Sequence, residues 1–234
     1  MGSKQRLVKD ILPIILNDKK DNQFYVEPFA GGMNSISEVS GYRIANDIHY
    51  YLIEMWKKLC DGWIPDKITK EIYDDVRKNL NKYESYFIGW VGFNCSYSGK
   101  WFGGFAGETK TKIGTIRDYQ LEAIKNVNNQ VYKMKGIIFE NKSYYDLDIP
   151  PNSIVYCDPP YKGTTKYVND FNHDNFWDWV RKINNQGHTV FISEYNAPDD
   201  FECVWKKEIK SSLSANGKSG GSKASVEKLF RLKK

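Results

Sequence analysis

Short apolar runs recur along this chain with helical segments between them, and that alternation restricts the fold more than any other feature. "FYVEP" (24–28), "YRIAND" (42–47), "GIIFE" (136–140), "SIVYC" (153–157), "HTVFIS" (188–193) and the region around "CVWKKEI" read as strands, with "VEKLFRL" as the last. Among the helical segments, "RLVKDILPIIL" carries Val8, Ile11, Leu12 and Ile15 at helical spacing, and Pro13 is expected to bend it. "HYYLIEMWKKL" (49–59) and "DNFWDWVRKIN" are also helical, and "GGMNSISEV" reads as a glycine turn into a short helix. Strand, helix and strand in alternation predict an α/β fold built on a parallel sheet.

The alternation lapses between residues 61 and 135. "TKEIYDDVRKNL" and "TIRDYQLEAIKNVNNQVYK" have helical patterns, and between them lies "GFNCSYSGKWFGGFAGETKTKIG", rich in glycine, aromatics and lysine. With 234 residues, the chain has room for one large domain carrying an insertion. Residues 1–55 and 136–234 are therefore read as the α/β domain, and 56–135 as the insertion.

No apolar run approaches the length of a membrane span. Cys60, Cys95, Cys157 and Cys203 are far apart in mixed surroundings, which predicts reduced thiols. Neither they nor His49, His173 and His188 have metal-ligand spacing, so no metal is expected. The net charge is +5, and from residue 204 onward nine Lys and Arg residues face only Glu208 and Glu227. A basic face of this kind suits either solvation or phosphate contact.

The stretch "NSIVYCDPPYKGTTKY" (152–167) is the most informative. Ile154 to Cys157 form an apolar strand that ends in Asp158, and two prolines stiffen the chain immediately after it. Proline fixes φ and pushes the preceding residue out of the helical region, so Asp158 and Pro159 are both extended. The Asp158 carboxylate and the Pro159 carbonyl can then face one point, as two acceptors for a group with two N–H donors. Tyr161 adds a flat ring suited to stacking on a base. The alternative is an ordinary proline turn at a strand end.

A second turn, "VEPFAGG" (26–32), has the logic of a nucleotide-binding loop: a strand ends, glycines let the backbone approach a ligand, and a helix comes next. Asp47 ends the next strand twenty residues after Glu27, where an acid typically accepts hydrogen bonds from a ribose.

Taken in order, "VEPFAGG", "ANDI" and "YCDPPY" resemble the Dam-type, or D12 class, DNA adenine methyltransferases, and most of all their phage and prophage members. "GSKQRLVKDILPII", "FNCSYSGKWFGGFA", "VFISEYNAPDDF" and "SSLSANG" extend the resemblance nearly end to end. It implies a Rossmann-like sheet with a helical target-recognition insertion. It also implies methyl transfer from S-adenosylmethionine to adenine N6 in double-stranded DNA, with the base flipped from the duplex. Flipping costs a few kcal/mol, and stacking on Tyr161 recovers about 1–3 kcal/mol. Under this resemblance Asp158, Pro159, Pro160 and Tyr161 are catalytic. Lys4, Phe29, Gly31, Asp47, Tyr144 and Asp158 bind the cofactor. Asn94, Ser96, Ser98 and Lys100 contact DNA from the insertion, with Trp101 and Phe102 either contacting it or packing as scaffold. Lys218 and Lys223, near the hairpin signal Asn216-Gly217, contact its backbone. The enzyme is expected in the cytoplasm of a bacterium or phage-infected host, as a monomer or as a dimer on DNA.

The sequence departs from the family pattern at three places. Met33 stands where many relatives have a second glycine, a role Gly32 is expected to take. Ser143 replaces an acid near the cofactor's adenine. An aromatic found upstream in some relatives is missing, while Gly2 and Ser3 fit the family and are read as native. Two alternatives stay open: transfer to cytosine N4 or an RNA base, against which the acid at Asp158 argues, and a DNA-binding paralogue without turnover.

Overall fold

A computed structural model describes residues 4–111, 113–161, 171–210 and 224–233. Seven strands form the main sheet: β1 (Tyr25–Glu27), β2 (Arg43–Asn46), β5 (Ile137–Glu140), β6 (Ile154–Cys157), β7 (Thr189–Glu194), β8 (Phe201–Lys210) and β9 (Ala224–Leu232). Their order is β5-β2-β1-β6-β7-β9-β8. The first five run parallel, while β9 is antiparallel to both β7 and β8. The expected closing hairpin is thus present, with its tip at 211–223 outside the described residues.

The central strands are buried along their whole length, as parallel strands covered on both faces must be. Successive residues feed opposite cores because the side-chain period of a strand is two. Tyr25, Tyr156 and Phe191 join one cluster, whereas Val26, Val155, Cys157 and Ile192 join the other. The first core is covered by α1 (Gln5–Ile15) and α2 (Tyr50–Cys60), together with residues of the insertion. The second is covered by α6 (His173–Asn185) through Phe176, Trp177, Trp179, Val180 and Ile183.

The insertion contains α3 (Lys70–Lys78), α4 (Ser85–Gly89), a π-helical turn at Trp90–Asn94, the two-stranded ribbon of β3 (Glu108–Lys110) and β4 (Ile116–Asp118), and α5 (Tyr119–Val131). It has no separate core. Tyr73, Trp90 and Val127 lie in the same cluster as Tyr25 and Ile36, and α2 crosses residue 55 without a break. Arg43 ties the end of the insertion to the sheet, donating to the carbonyls of Lys133 (2.8 Å) and Lys135 (2.6 Å).

Two local expectations change. "GGMNSISEV" forms only a 3-10 turn, at Ile36–Glu38. The segment from Thr115 is not helical throughout: Ile116–Asp118 pair as β4, and the helix begins at Tyr119. The cause is Asp118, whose carboxylate caps the helix by accepting from the Gln120 and Leu121 N–H groups, both at 3.0 Å. Pro13 sits inside α1 without ending it. Among the described residues no helix is long and apolar enough to cross a membrane, no His, Cys, Asp and Glu cluster could hold a metal ion, and all four cysteines are free.

Candidate active site

Three loops leave the carboxyl ends of neighbouring strands. Asp158 follows β6, the glycine turn follows β1, and Asp47 follows β2, with β1 hydrogen-bonded to both of the others. From β1 the chain winds outward through β2 to β5 and then returns to β6 on the other side of β1, so the winding direction reverses between β1 and β6. Open α/β sheets bind their ligands at such a point.

Asp158 and Tyr161 meet a residue from the start of the chain. The Lys4 ammonium lies 3.4 Å from Asp158 Oδ1 and 2.7 Å from Glu227 Oε2. It also donates to the Tyr161 hydroxyl and lies 4.5 Å from that ring's centroid. The Tyr161 hydroxyl donates to Glu227 Oε2 at 2.9 Å, and its ring meets Tyr195 edge-on at 4.7 Å. Burial raises the Asp158 pKa; Lys4 pulls it back and the Glu227 charge raises it further. Burial lowers the Lys4 pKa, but the two carboxylates outweigh that and it ends above its ordinary value. Burial, then Asp158 and Glu227, push the Tyr161 phenol up as well, so it stays protonated and donating.

Glu27, at the end of β1, is 2% exposed and accepts from the Tyr25 hydroxyl at 2.8 Å. Burial pushes its pKa up to about 8, hydrogen bonds from Ser35 and Tyr25 oppose this, and Asp158 adds to it.

On the other side of β1, Asp47 Oδ2 accepts from the Gly31 N–H at 3.0 Å and Oδ1 from the His49 N–H at 2.9 Å. Burial raises the Asp47 pKa and these two backbone bonds lower it again. Each carboxylate oxygen keeps a lone pair for a further donor, as two vicinal hydroxyls would need. The turn is braced from both sides: Trp56 Nε1 donates to the Gly31 carbonyl (3.1 Å) and Gln130 Nε2 to that of Gly32 (2.9 Å). Asn46 is fully buried and joins two loops, donating to the carbonyls of Pro28 (2.9 Å) and Lys142 (3.0 Å). The second of these loops leads to Ser143 and Tyr144. Phe29 lies 5.2 Å from the Tyr144 ring, within a cluster that includes Phe171, Phe176 and Trp179. Tyr144 is only 8% exposed, whereas Tyr145 beside it is 48% exposed.

The left-handed positions of the glycine turn are Gly31 (φ 47°) and Met33 (φ 56°); Gly32 is not among them. Met33 thus takes a left-handed conformation that glycine adopts more readily, and its side chain is fully buried in the first core.

In the insertion, Ser98 (φ 58°) and Lys100 are exposed on one turn. Asn94 is half-buried, with its amide 3.1 Å from Met55 Sδ. Ser96 does not face outward as expected: it is 4% exposed, within 3.0 Å of the Tyr73 hydroxyl, and donates to the Val91 carbonyl. The bridge between Ser96 and Phe105 folds that side chain inward. Trp101 packs parallel to Tyr51 (5.6 Å, 10°) and covers Gly92, where a Cβ would come within 2.3 Å of the indole. Phe102 packs on Tyr73. Lys218 and Lys223, like Gly2 and Ser3, lie outside the described residues. Sequence reading missed Glu227, Tyr195, Asn46 and the exposed Tyr97. Only Asn46 carried a signal, as a polar residue inside a buried strand.

A parallel sheet with this strand order, carrying glycine turn, acid and Asp-Pro-Pro-Tyr turn on one edge, defines a nucleotide-binding α/β protein of the Rossmann-like kind. The chain belongs to the D12 class N6 adenine-specific DNA methyltransferase family, whose pattern matches residues 1–94 and 70–196. It is 26% identical over 206 residues to the type II methyltransferase M.FokI of Planomicrobium okeanokoites, covering 77% of this chain and 31% of that protein. It is 25% identical over 201 residues to the modification methylase StsI of Streptococcus sanguinis, covering 76% and 30%. The matched region thus spans about a third of the length of these relatives. Among solved structures, the tRNA (m1A58) methyltransferase TrmI of Aquifex aeolicus aligns over 97% of this chain and 69% of its own, at 12% identity and a TM-score of 0.36.

Proposed function

We propose that this chain transfers the methyl group of S-adenosylmethionine to adenine N6 in double-stranded DNA. The observation that carries the reading is the placement of the Asp158 turn and the Gly31–Asp47 turn on adjacent strand ends of one sheet edge, in a chain of the D12 class family. Asp47, Gly31, Phe29, Tyr144 and Lys4 are the cofactor side. Asp158, Pro159, Pro160 and Tyr161 are the target side.

The chemistry is set by the amine. The N6 lone pair is delocalised into the purine ring and is a poor nucleophile. Acceptance of its two N–H bonds by the Asp158 carboxylate and the Pro159 carbonyl favours a tetrahedral nitrogen with a localised lone pair. S-adenosylmethionine, held by Asp47, Gly31, Phe29 and Tyr144, would supply an electrophilic methyl group to that pair and would take the C–S bonding electrons as neutral S-adenosylhomocysteine. The nitrogen then loses one proton, which Asp158 is suited to take because burial raises its pKa. Tyr161 stacks on the flipped base.

The insertion, residues 56–135, is the target-recognition element in this reading, with Asn94, Ser98 and Lys100 as its candidate base contacts. Lys218 and Lys223 are assigned to the DNA backbone, and the protein acts in the cytoplasm as a monomer or as a dimer on DNA. Mixed-sequence duplex DNA treated with the protein and S-adenosylmethionine, then digested to nucleosides and weighed, is expected to contain N6-methyladenine. Methyl groups on cytosine, or none on DNA despite cofactor binding, would refute the reading.

A further inference from the structure

Glu227 lies on β9, far from every motif in the sequence, yet its carboxylate reaches the centre of the site. Its side chain is 14% exposed, and one oxygen, Oε2, accepts from both the Lys4 ammonium (2.7 Å) and the Tyr161 hydroxyl (2.9 Å). Lys4 thus stands between two carboxylates and is closer to Glu227 than to Asp158, where the separation is 3.4 Å. The difference matters because a charge-assisted hydrogen bond forms at about 2.7–2.9 Å, whereas 3.4 Å is only an ion contact.

We infer that Glu227 is a positioning residue that holds Lys4 off Asp158 and fixes the Tyr161 ring, keeping the Asp158 carboxylate available to an amine. Resting on the proposed amine methylation, this assigns the last strand of the sheet a part in the reaction. Without Glu227 the ammonium has one carboxylate left and closes on it, occupying the acceptor that the target amine needs. The Tyr161 hydroxyl loses its Glu227 acceptor in the same step and is left to Asp158, which draws the ring away from its present position.

Several charged or titratable groups face Asp158. Lys4 comes from the start of α1, Glu227 from β9 and Glu27 from β1; Tyr156 and Cys157 come from β6, and Tyr161 and Tyr195 from the loops above. Replacing Glu227 with Gln removes one negative charge and brings Lys4 nearer, and both changes favour the Asp158 anion.

The test is carboxyl-carbon NMR titration of Asp158 in the full chain, with the signal assigned through Asp158→Asn. In Glu227→Gln the Asp158 midpoint is expected to fall by about one unit or more, and in Lys4→Met to rise. In the Lys4→Met background the same Glu227→Gln change should produce a smaller shift, because no ammonium is left to close on Asp158. Single-turnover methylation by Glu227→Gln at saturating cofactor and DNA should fall about a hundredfold, the scale of a misplaced reacting geometry. Its acid limb should move to lower pH. An unchanged Asp158 midpoint in Glu227→Gln, or equal shifts in the two backgrounds, overturns the inference. The titration needs no turnover, so wild-type protein that transfers no methyl group would count against the proposed function alone.

Discussion

Two buried cations show how differently the same fold treats charge. Arg43 is 6% exposed and has no carboxylate partner among the described residues; its guanidinium donates to the carbonyls of Gly41 (3.3 Å), Ile36 (3.4 Å), Lys133 (2.8 Å) and Lys135 (2.6 Å). Lys4 has two carboxylates and a phenol around it, and the group as a whole carries more negative than positive charge. Arg43 is held in a neutral cage that fits it from every side, so its work is to fasten the insertion to the sheet. Beside Lys4, burial raises the Asp158 pKa, Lys4 opposes that, and the second acid, Glu227, adds to the rise. A chain that needed only stability would not leave a second acid there. Satisfaction marks the structural cation, and imbalance marks the functional one.

The largest stability effect is expected at Arg43. Arg43→Met removes the donor to four carbonyls, that of Ile36 buried and the others part-buried, at about 1 kcal/mol each, so a loss of about 3–5 kcal/mol is expected in urea unfolding. Turnover per folded molecule should be unchanged. A stable Arg43→Met protein, or one that is stable but inactive, would erase the contrast between the two sites.

Glu27 sharpens the imbalance. Its pKa rises from 4.5 to about 8 on folding, so the native state holds a proton that the unfolded chain releases. The stability this contributes is fully present below about pH 4.5 and is lost as pH rises through about 8. Glu27→Gln should therefore flatten the stability–pH curve in that window, by a few kcal/mol at its upper end. Parallel curves for the two proteins would mean that Glu27 is ionised in the fold.

Met33→Gly gives the smallest effect, and the comparison with alanine is the least intuitive. Its left-handed backbone costs about 1–2 kcal/mol that glycine would not. Its buried side chain is worth about 2–5 kcal/mol against alanine. Met33→Gly should then lose roughly 1–3 kcal/mol net, whereas Met33→Ala loses the side chain and keeps the strain. Alanine should be the more destabilising substitution, the reverse of the usual order at a buried position, and glycine turning out worse would show that the turn is not strained.

The sheet was largely legible because its strands are buried and terminated by turn formers, as in Ile154 to Cys157 before Asp158. The glycine turn after β1 and the Asp-Pro-Pro-Tyr turn after β6 were legible because proline and glycine fix backbone geometry locally. Glu227 was not, since an acid alternating along a strand looks the same whether it faces water or Lys4, and only the register of β9 against β7 decides. Ser96 was misjudged for a related reason: a polar residue between aromatics reads as exposed until the bridge to Phe105 turns it inward. The start of α5 was misplaced because Asp118 serves as cap rather than first turn.

The central claim is that the Asp158 carboxylate is kept against the interest of stability for the sake of transfer. Asp158→Asn tests it in one protein, by thermal unfolding at pH 8 alongside single-turnover methylation of duplex DNA. The substitution removes the under-compensated charge and preserves shape, so the melting temperature is expected to rise while methyl transfer is lost. A melting temperature that falls, or methyl transfer that survives in the folded variant, would contradict the account.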